Sequence, residues 1–323
     1  VHMSCAKRQA LSVPRAPLQV LLPHQEQRWT SVQAELRKLA AGGKCKNVKQ
    51  LAALLGRLAP DPEEGDHGGL MSVLREDLED TERAEFFAST LPGLARLALS
   101  AETLFERGLP YLMPEVAAAV HLSRLQVASL LALAFFDLIP EPAAEAADMD
   151  LPSRLTFEGW FCEWGEGEKA RCLLEYFRSV VAAGTEVLAG ERLSFWRLAL
   201  PPSDGGEGEG EHAAAKQAEA AKQAEAAKQE ASLAEWTSCA APLTPLAVHA
   251  RGVIEASAGA LQADFANEYI GGGVLHGGNV QEEIRFTVCP ECLVSLILCP
   301  RMRPREAIAL RGVRQYASYA GYG

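Results

Sequence analysis

Residues 264–283 read DFANEYIGGGVLHGGNVQEE, and the fold turns on this stretch. Gly271, Gly272 and Gly273 remove every Cβ from a loop, so its backbone N–H groups can close on an anion and φ > 0 is open to it. After seven intervening residues, Gln281, Glu282 and Glu283 bring two carboxylates into the same short span, an arrangement suited to glycosidic chemistry. Just upstream, the alternation from Leu261 to Phe265 reads as a strand. Asp264 and Asn267 then stand at a strand end beside the glycine loop, where ligand sites of open sheets collect.

Working outward, Leu246 to Glu255 reads as another strand. Downstream, Pro290 to Leu298 reads as a helix and Ala307 to Arg311 as a strand. Pro290 suits a first helical position and Pro300 stops the helix. Leu193 to Leu198 looks like the first strand of a second domain, whose sheet is then interrupted. Lys169 to Val181 is an amphipathic helix with Leu173, Tyr176, Phe177 and Val180 on one face. Ser31 to Leu39, Val48 to Leu58, Leu70 to Leu78 and Ser123 to Leu138 carry apolar residues at helical spacing, so residues 1–150 read as helical. Residues 203–211 are an acidic glycine linker, and residues 214–231 repeat Ala-Lys-Gln-Ala-Glu-Ala. A six-residue period cannot hold an apolar stripe on a 3.6-residue helix, so the repeat reads as a solvated insertion without a catalytic role.

With 323 residues and 48% hydrophobic content, the chain has room for two domains. The formal net charge of −11 argues against tracking along a polyanion by counterion release, and so against generic or sequence-specific nucleic-acid binding. One terminal nucleotide-like unit could still be held by a few amides and stacking contacts. No apolar run is long enough to span a bilayer. Eight scattered cysteines and no basic-then-apolar leader point to reduced thiols inside the cell, in the nucleus and cytoplasm.

The stretch as a whole resembles the poly(ADP-ribose) glycohydrolase family. The three glycines followed by Gln-Glu-Glu match the family signature, and the flanks are similar too: Asp264 to Asn267, Ile284 to Phe286, Gln315-Tyr316 and Tyr319 to Tyr322. Weaker likeness runs upstream through Leu173 to Arg178 and Ala128 to Phe136. The resemblance implies an α/β protein: an N-terminal helical accessory domain followed by a partial macrodomain-like three-layer sheet domain. The implied division is a helical domain over 1–150, the start of the sheet domain over 151–202, the insertion over 203–232 and the first part of the catalytic core over 233–323. The rest of that core is expected beyond Gly323.

The resemblance also assigns roles. Glu283 matches the family's catalytic acid, and Glu282 matches the residue that binds ribose hydroxyls together with Asn267. Adjacent residues point apart on a helix or strand, which favours two different roles. Asp264 matches a supporting aspartate. Gly271, Gly272 and Gly273 would line the terminal ribose and diphosphate, with Gln281 and Phe265 alongside. Ile254 and Glu255 match positions near the adenine, and Tyr322 the tyrosine that closes over the ligand. The implied partners are poly(ADP-ribose), ADP-ribose and ADP-ribosylated proteins, with no cofactor and no membrane. Two rival readings stay open: a macrodomain module that binds ADP-ribose without cleaving it, and an inactive scaffold. Cys289 and Cys292 form a C-x-x-C with Cys299 nearby. Zinc needs four ligands and no second pair follows, so no metal site is expected.

Overall fold

A computed structural model describes residues 18–43, 45–60, 67–142, 150, 154–162, 166–199, 237–242, 244–257 and 259–320. The chain divides into two compact units, residues 1–200 with 264–323, and residues 201–263. The linker and repeat of 203–231 and Tyr322 lie outside the described residues.

In the first unit, the described α-helices of eight or more residues are α1 (Trp29–Ala40), α2 (Val48–Leu58), α3 (Leu91–Leu99), α4 (Arg124–Phe135), α5 (Gly167–Ala183) and α6 (Gln281–Val288). The first two match the periodicity closely. Asn47 caps α2, its side chain accepting the Gln50 N–H at 3.0 Å. α3 continues a helical run that begins at Asp80 and widens to π geometry over Phe86–Thr90. The Leu91 N–H reaches back five residues to Phe86, just before Pro92, which has no N–H to offer. Helix α4 is buried on nearly every side. Its start is a reciprocal cap: Ser123 Oγ accepts the Gln126 N–H at 3.1 Å and Gln126 Oε1 accepts the Ser123 N–H at 2.9 Å.

Three antiparallel strands form the sheet in the order β1 (Ala118–Ser123), β2 (Arg192–Ala199), β3 (Glu306–Arg311). Val120 faces Phe195, which faces Leu310, so one side of the sheet enters the core. Strand β1 lies inside the stretch read as purely helical. It is short, and only Val120 and Leu122 carry its buried face. Strands β2 and β3 stand where strands were expected, but β2 is not the first of its sheet, because β1 pairs along its other edge.

Two expected strands do not form. Among the described residues Leu246–Glu255 has no ladder partner, and a 3₁₀ turn stands at Ile254–Ala256. Leu261–Phe265 forms no strand, with Leu261 95% and Phe265 79% exposed. Alternation signals a strand only where a sheet face buries the apolar half, and these side chains have none. The helix expected over Pro290–Leu298 is a 3₁₀ turn, Pro290–Val294, followed by one α-turn, Ser295–Leu298, all of it buried.

A buried polar cluster ties α4 to the C-terminal segment. Arg124 Nε donates to Glu291 Oε1 at 2.5 Å, with both side chains inaccessible. Glu291 also accepts the Tyr316 hydroxyl at 2.8 Å and the Arg314 N–H at 2.9 Å. Arg124 completes its bonding to Glu191 and to the Gly312 carbonyl. A buried charge needs this degree of satisfaction. Among the described residues no helix is long and apolar enough to cross a membrane.

Candidate active site

Helix α6 opens on Gln281, Glu282 and Glu283, and each of these side chains takes backbone N–H groups from the residues before the helix. Gln281 Oε1 accepts the Phe265 N–H at 2.9 Å. Glu282 accepts the Asn267 N–H at 2.9 Å on Oε2 and the Gly271 N–H at 2.6 Å on Oε1. Glu283 accepts the Gly273 N–H at 2.9 Å on Oε1, and its Oε2 reaches back to the Val280 N–H at 3.0 Å. Successive helix residues thus hold successive pieces of the loop. Asn267 Oδ1 accepts the Tyr269 N–H at 3.0 Å, which starts the turn into the glycines.

The two carboxylates converge instead of diverging. A Cβ added to Gly272 would lie 2.5 Å from Glu283 Oε1 and 2.9 Å from Glu282 Oε2, and Gly272 has φ +53°. Both requirements select glycine. Convergence is possible because side chains in a first helical turn can fold back over the end, where unpaired N–H groups and the positive dipole attract them. The N–H groups of the triple glycine are committed within the protein: Gly271 to Glu282, Gly273 to Glu283, and Gly272 to the Tyr269 carbonyl at 3.0 Å. The anions gathered by this loop are the protein's own.

Glu282 and Glu283 are 3% and 6% exposed. Burial pushes the Glu282 carboxyl up to about 7; the Asn267 and Gly271 amides oppose this, while Asp264 and Glu283 add to it. Burial also raises Asp264, against the attraction of Arg285 and with help from Glu283. Burial thus brings the Glu282 carboxyl into the neutral range.

Residues 233–323 match the family model described as poly(ADP-ribose) glycohydrolase, macro domain fold, and residues 78–195 match that described as poly(ADP-ribose) glycohydrolase, helical domain. The chain belongs to the poly(ADP-ribose) glycohydrolase family. The class is α/β, a helical domain followed by a macro-fold domain. The chain is 31% identical over 264 residues to "Probable poly(ADP-ribose) glycohydrolase 2" of Arabidopsis thaliana, covering 75% of this chain and 45% of the relative. It is 28% identical over 278 residues to "Poly(ADP-ribose) glycohydrolase 1" of the same plant, covering 79% and 44%. Over 71 residues it is 54% identical to "Poly(ADP-ribose) glycohydrolase 1" of Caenorhabditis elegans, covering 22% and 9%. The chain spans a little under half the length of the plant relatives it matches.

Of the residues that family resemblance singled out, the structure brings together Asp264, Phe265, Asn267, Gly271–Gly273 and Gln281–Glu283. Ile254 and Glu255 belong to the other unit, on its 3₁₀ turn. Cys289, Cys292 and Cys299 are buried among apolar residues; burial pushes the Cys299 thiol up to about 12 and Cys292 well above the usual thiol range. Among the described residues no group of three or more His, Cys, Asp or Glu is placed to hold a metal ion.

Sequence reasoning missed the residues that grip the far side of the family loop. Trp160 Nε1 donates to the Val274 carbonyl at 2.7 Å. Lys169 Nζ donates to the carbonyls of Val274 at 3.3 Å, His276 at 2.7 Å and Gly278 at 2.7 Å. Burial lowers the Lys169 ammonium below the ordinary lysine range, against the attraction of Glu166 and Glu283. A signal for Lys169 existed. It lies four residues before Leu173, so a charge stands on the buried stripe of an amphipathic helix, where it demands a partner.

Proposed function

We propose that this chain is a glycosidase that hydrolyses the 1″→2′ ribose–ribose bonds of poly(ADP-ribose), mainly from chain ends, releasing ADP-ribose. The observation that carries this reading is the meeting of two buried carboxyls over Gly272. Family membership and the printed names of the relatives support the substrate.

Glu283 is the catalytic acid in this proposal. It protonates the 2′ oxygen as the bond from C1″ breaks, through an oxocarbenium-like transition state, and then takes a proton from the attacking water. Two amides fix its carboxylate before substrate arrives, so the orientation is set in advance. Glu282, half-protonated near pH 7, can both donate to and accept from ribose hydroxyls, with Asn267 beside it. Asp264 adds negative charge that keeps Glu282 raised. The glycines contribute by what they lack, letting a sugar approach the carboxylates without a Cβ between. ADP-ribosylated proteins as bearers of the polymer, and a nuclear and cytoplasmic location, belong to the same proposal.

One observation favours the rival reading of a binding module without turnover. All four oxygens of Glu282 and Glu283 already accept backbone N–H groups, which also describes a loop-pinning device. Glu283→Gln separates the two. Hydrolysis predicts release of ADP-ribose falling by about 10²–10⁴ while ADP-ribose affinity stays within about fivefold. A wild-type chain that binds ADP-ribose but never releases it from polymer selects the binding module.

A further inference from the structure

We infer that Lys169 is a positioning residue for Glu283, holding the wall against which that carboxylate rests. Three N–H bonds of one buried ammonium run to three carbonyls of the 274–278 loop, so the lysine is saturated and the loop is fixed at three points. The last of these points is Gly278. A Cβ there would lie 2.8 Å from Glu283 Cγ and 2.9 Å from both Cδ and Oε1, so the Gly278 backbone packs directly on the catalytic side chain. The carboxylate oxygens accept the Gly273 and Val280 N–H groups, and the Gly278 N–H donates to the Gly273 carbonyl at 3.1 Å. Gly278, Gly273 and Glu283 thus form one closed ring of contacts, and Lys169 holds that ring from outside through the Gly278 carbonyl. Two neighbours reinforce it: Trp160 on the Val274 carbonyl, and Glu166, which accepts from Asn279 Nδ2 at 3.3 Å. Glu282, by contrast, is held by the Asn267 and Gly271 N–H groups, neither of which Lys169 contacts through its three carbonyls. Removing the ammonium should therefore loosen one carboxylate and spare its neighbour.

The inference rests on the reading of Glu283 as the catalytic acid, and its test has a readout that does not depend on that reading. Site-resolved hydrogen exchange on the full chain compares wild type with Lys169→Met and Lys169→Arg. Arginine keeps the charge but cannot direct three donors from one atom, and serves as the decisive variant where methionine does not fold. In a folded variant the Gly273 and Val280 amides should exchange about tenfold faster or more, with Asn267 and Gly271 within about twofold. Turnover of poly(ADP-ribose) should fall about 10- to 100-fold in kcat, with ADP-ribose affinity within about threefold. Unchanged exchange at Gly273 and Val280 overturns the inference. So does acceleration spread equally over all four amides, or a loss of affinity matching the loss of kcat, because each marks a merely structural lysine. A wild-type chain without turnover removes the glycosidase reading alone, since the exchange comparison still decides the place of Lys169.

Discussion

Gly272→Ala is the smallest change that strikes both carboxylates at once. The added methyl would sit 2.5 Å from Glu283 Oε1 and 2.9 Å from Glu282 Oε2, where ordinary contact begins at 3.4 Å. The nearer oxygen must therefore retreat by about 1 Å, which breaks its bond to the Gly273 N–H. Holding a non-glycine residue at φ +53° costs about 1 kcal/mol. Losing a charge-assisted bond at a buried amide costs about 1.5–3 kcal/mol more. The expected destabilisation is about 2.5–4 kcal/mol, read from urea unfolding midpoints at constant m. In the folded fraction, a catalytic group displaced by about 1 Å should lower turnover by about 10²-fold. A Gly272→Ala protein within about 0.5 kcal/mol of wild type, with undiminished turnover, would refute the geometry in which both acids meet over this residue.

The Glu282 carboxyl predicts a pH signature: it titrates at about 7 in the folded protein against 4.5 unfolded, so the folded state holds the extra proton between those values and stability falls as pH rises through that window. The loss is about 3 kcal/mol, so between pH 4.5 and 7.5 wild type should lose about that much unfolding free energy relative to Glu282→Gln; no relative loss, or a relative gain, contradicts the raised carboxyl. Arg124→Met leaves Glu291 buried without its cation and should cost about 3–5 kcal/mol, whereas the double change Arg124→Met with Glu291→Met should recover most of that loss in a urea-unfolding cycle. Additive losses would show that the pair is not coupled.

Much of this protein was legible in its sequence because the relevant signals are local. Helices α1, α2 and α5 follow from the spacing of their leucines and aromatics. The triple glycine and Gln-Glu-Glu identified the family because their spacing is a property of the chain alone. Strands were less secure. Leu261–Phe265 alternates more strictly than Leu193–Leu198, yet only the latter finds β1 and β3 beside it, and ladder bonds belong to pairs of strands.

The sequence alone settled the family, the helices and the residue types gathered around residues 264–283, since periodicity and glycine's freedom at φ > 0 act within a few residues. Tertiary structure alone decided where the amides and charges go. Adjacent glutamates that the backbone would part are folded onto Gly272 because the loop's N–H groups offer them four bonds. Lys169, more than a hundred residues upstream, is aimed at three loop carbonyls because its helix buries it against that loop. A buried donor must find an acceptor, and the acceptor's position in the chain is set by packing.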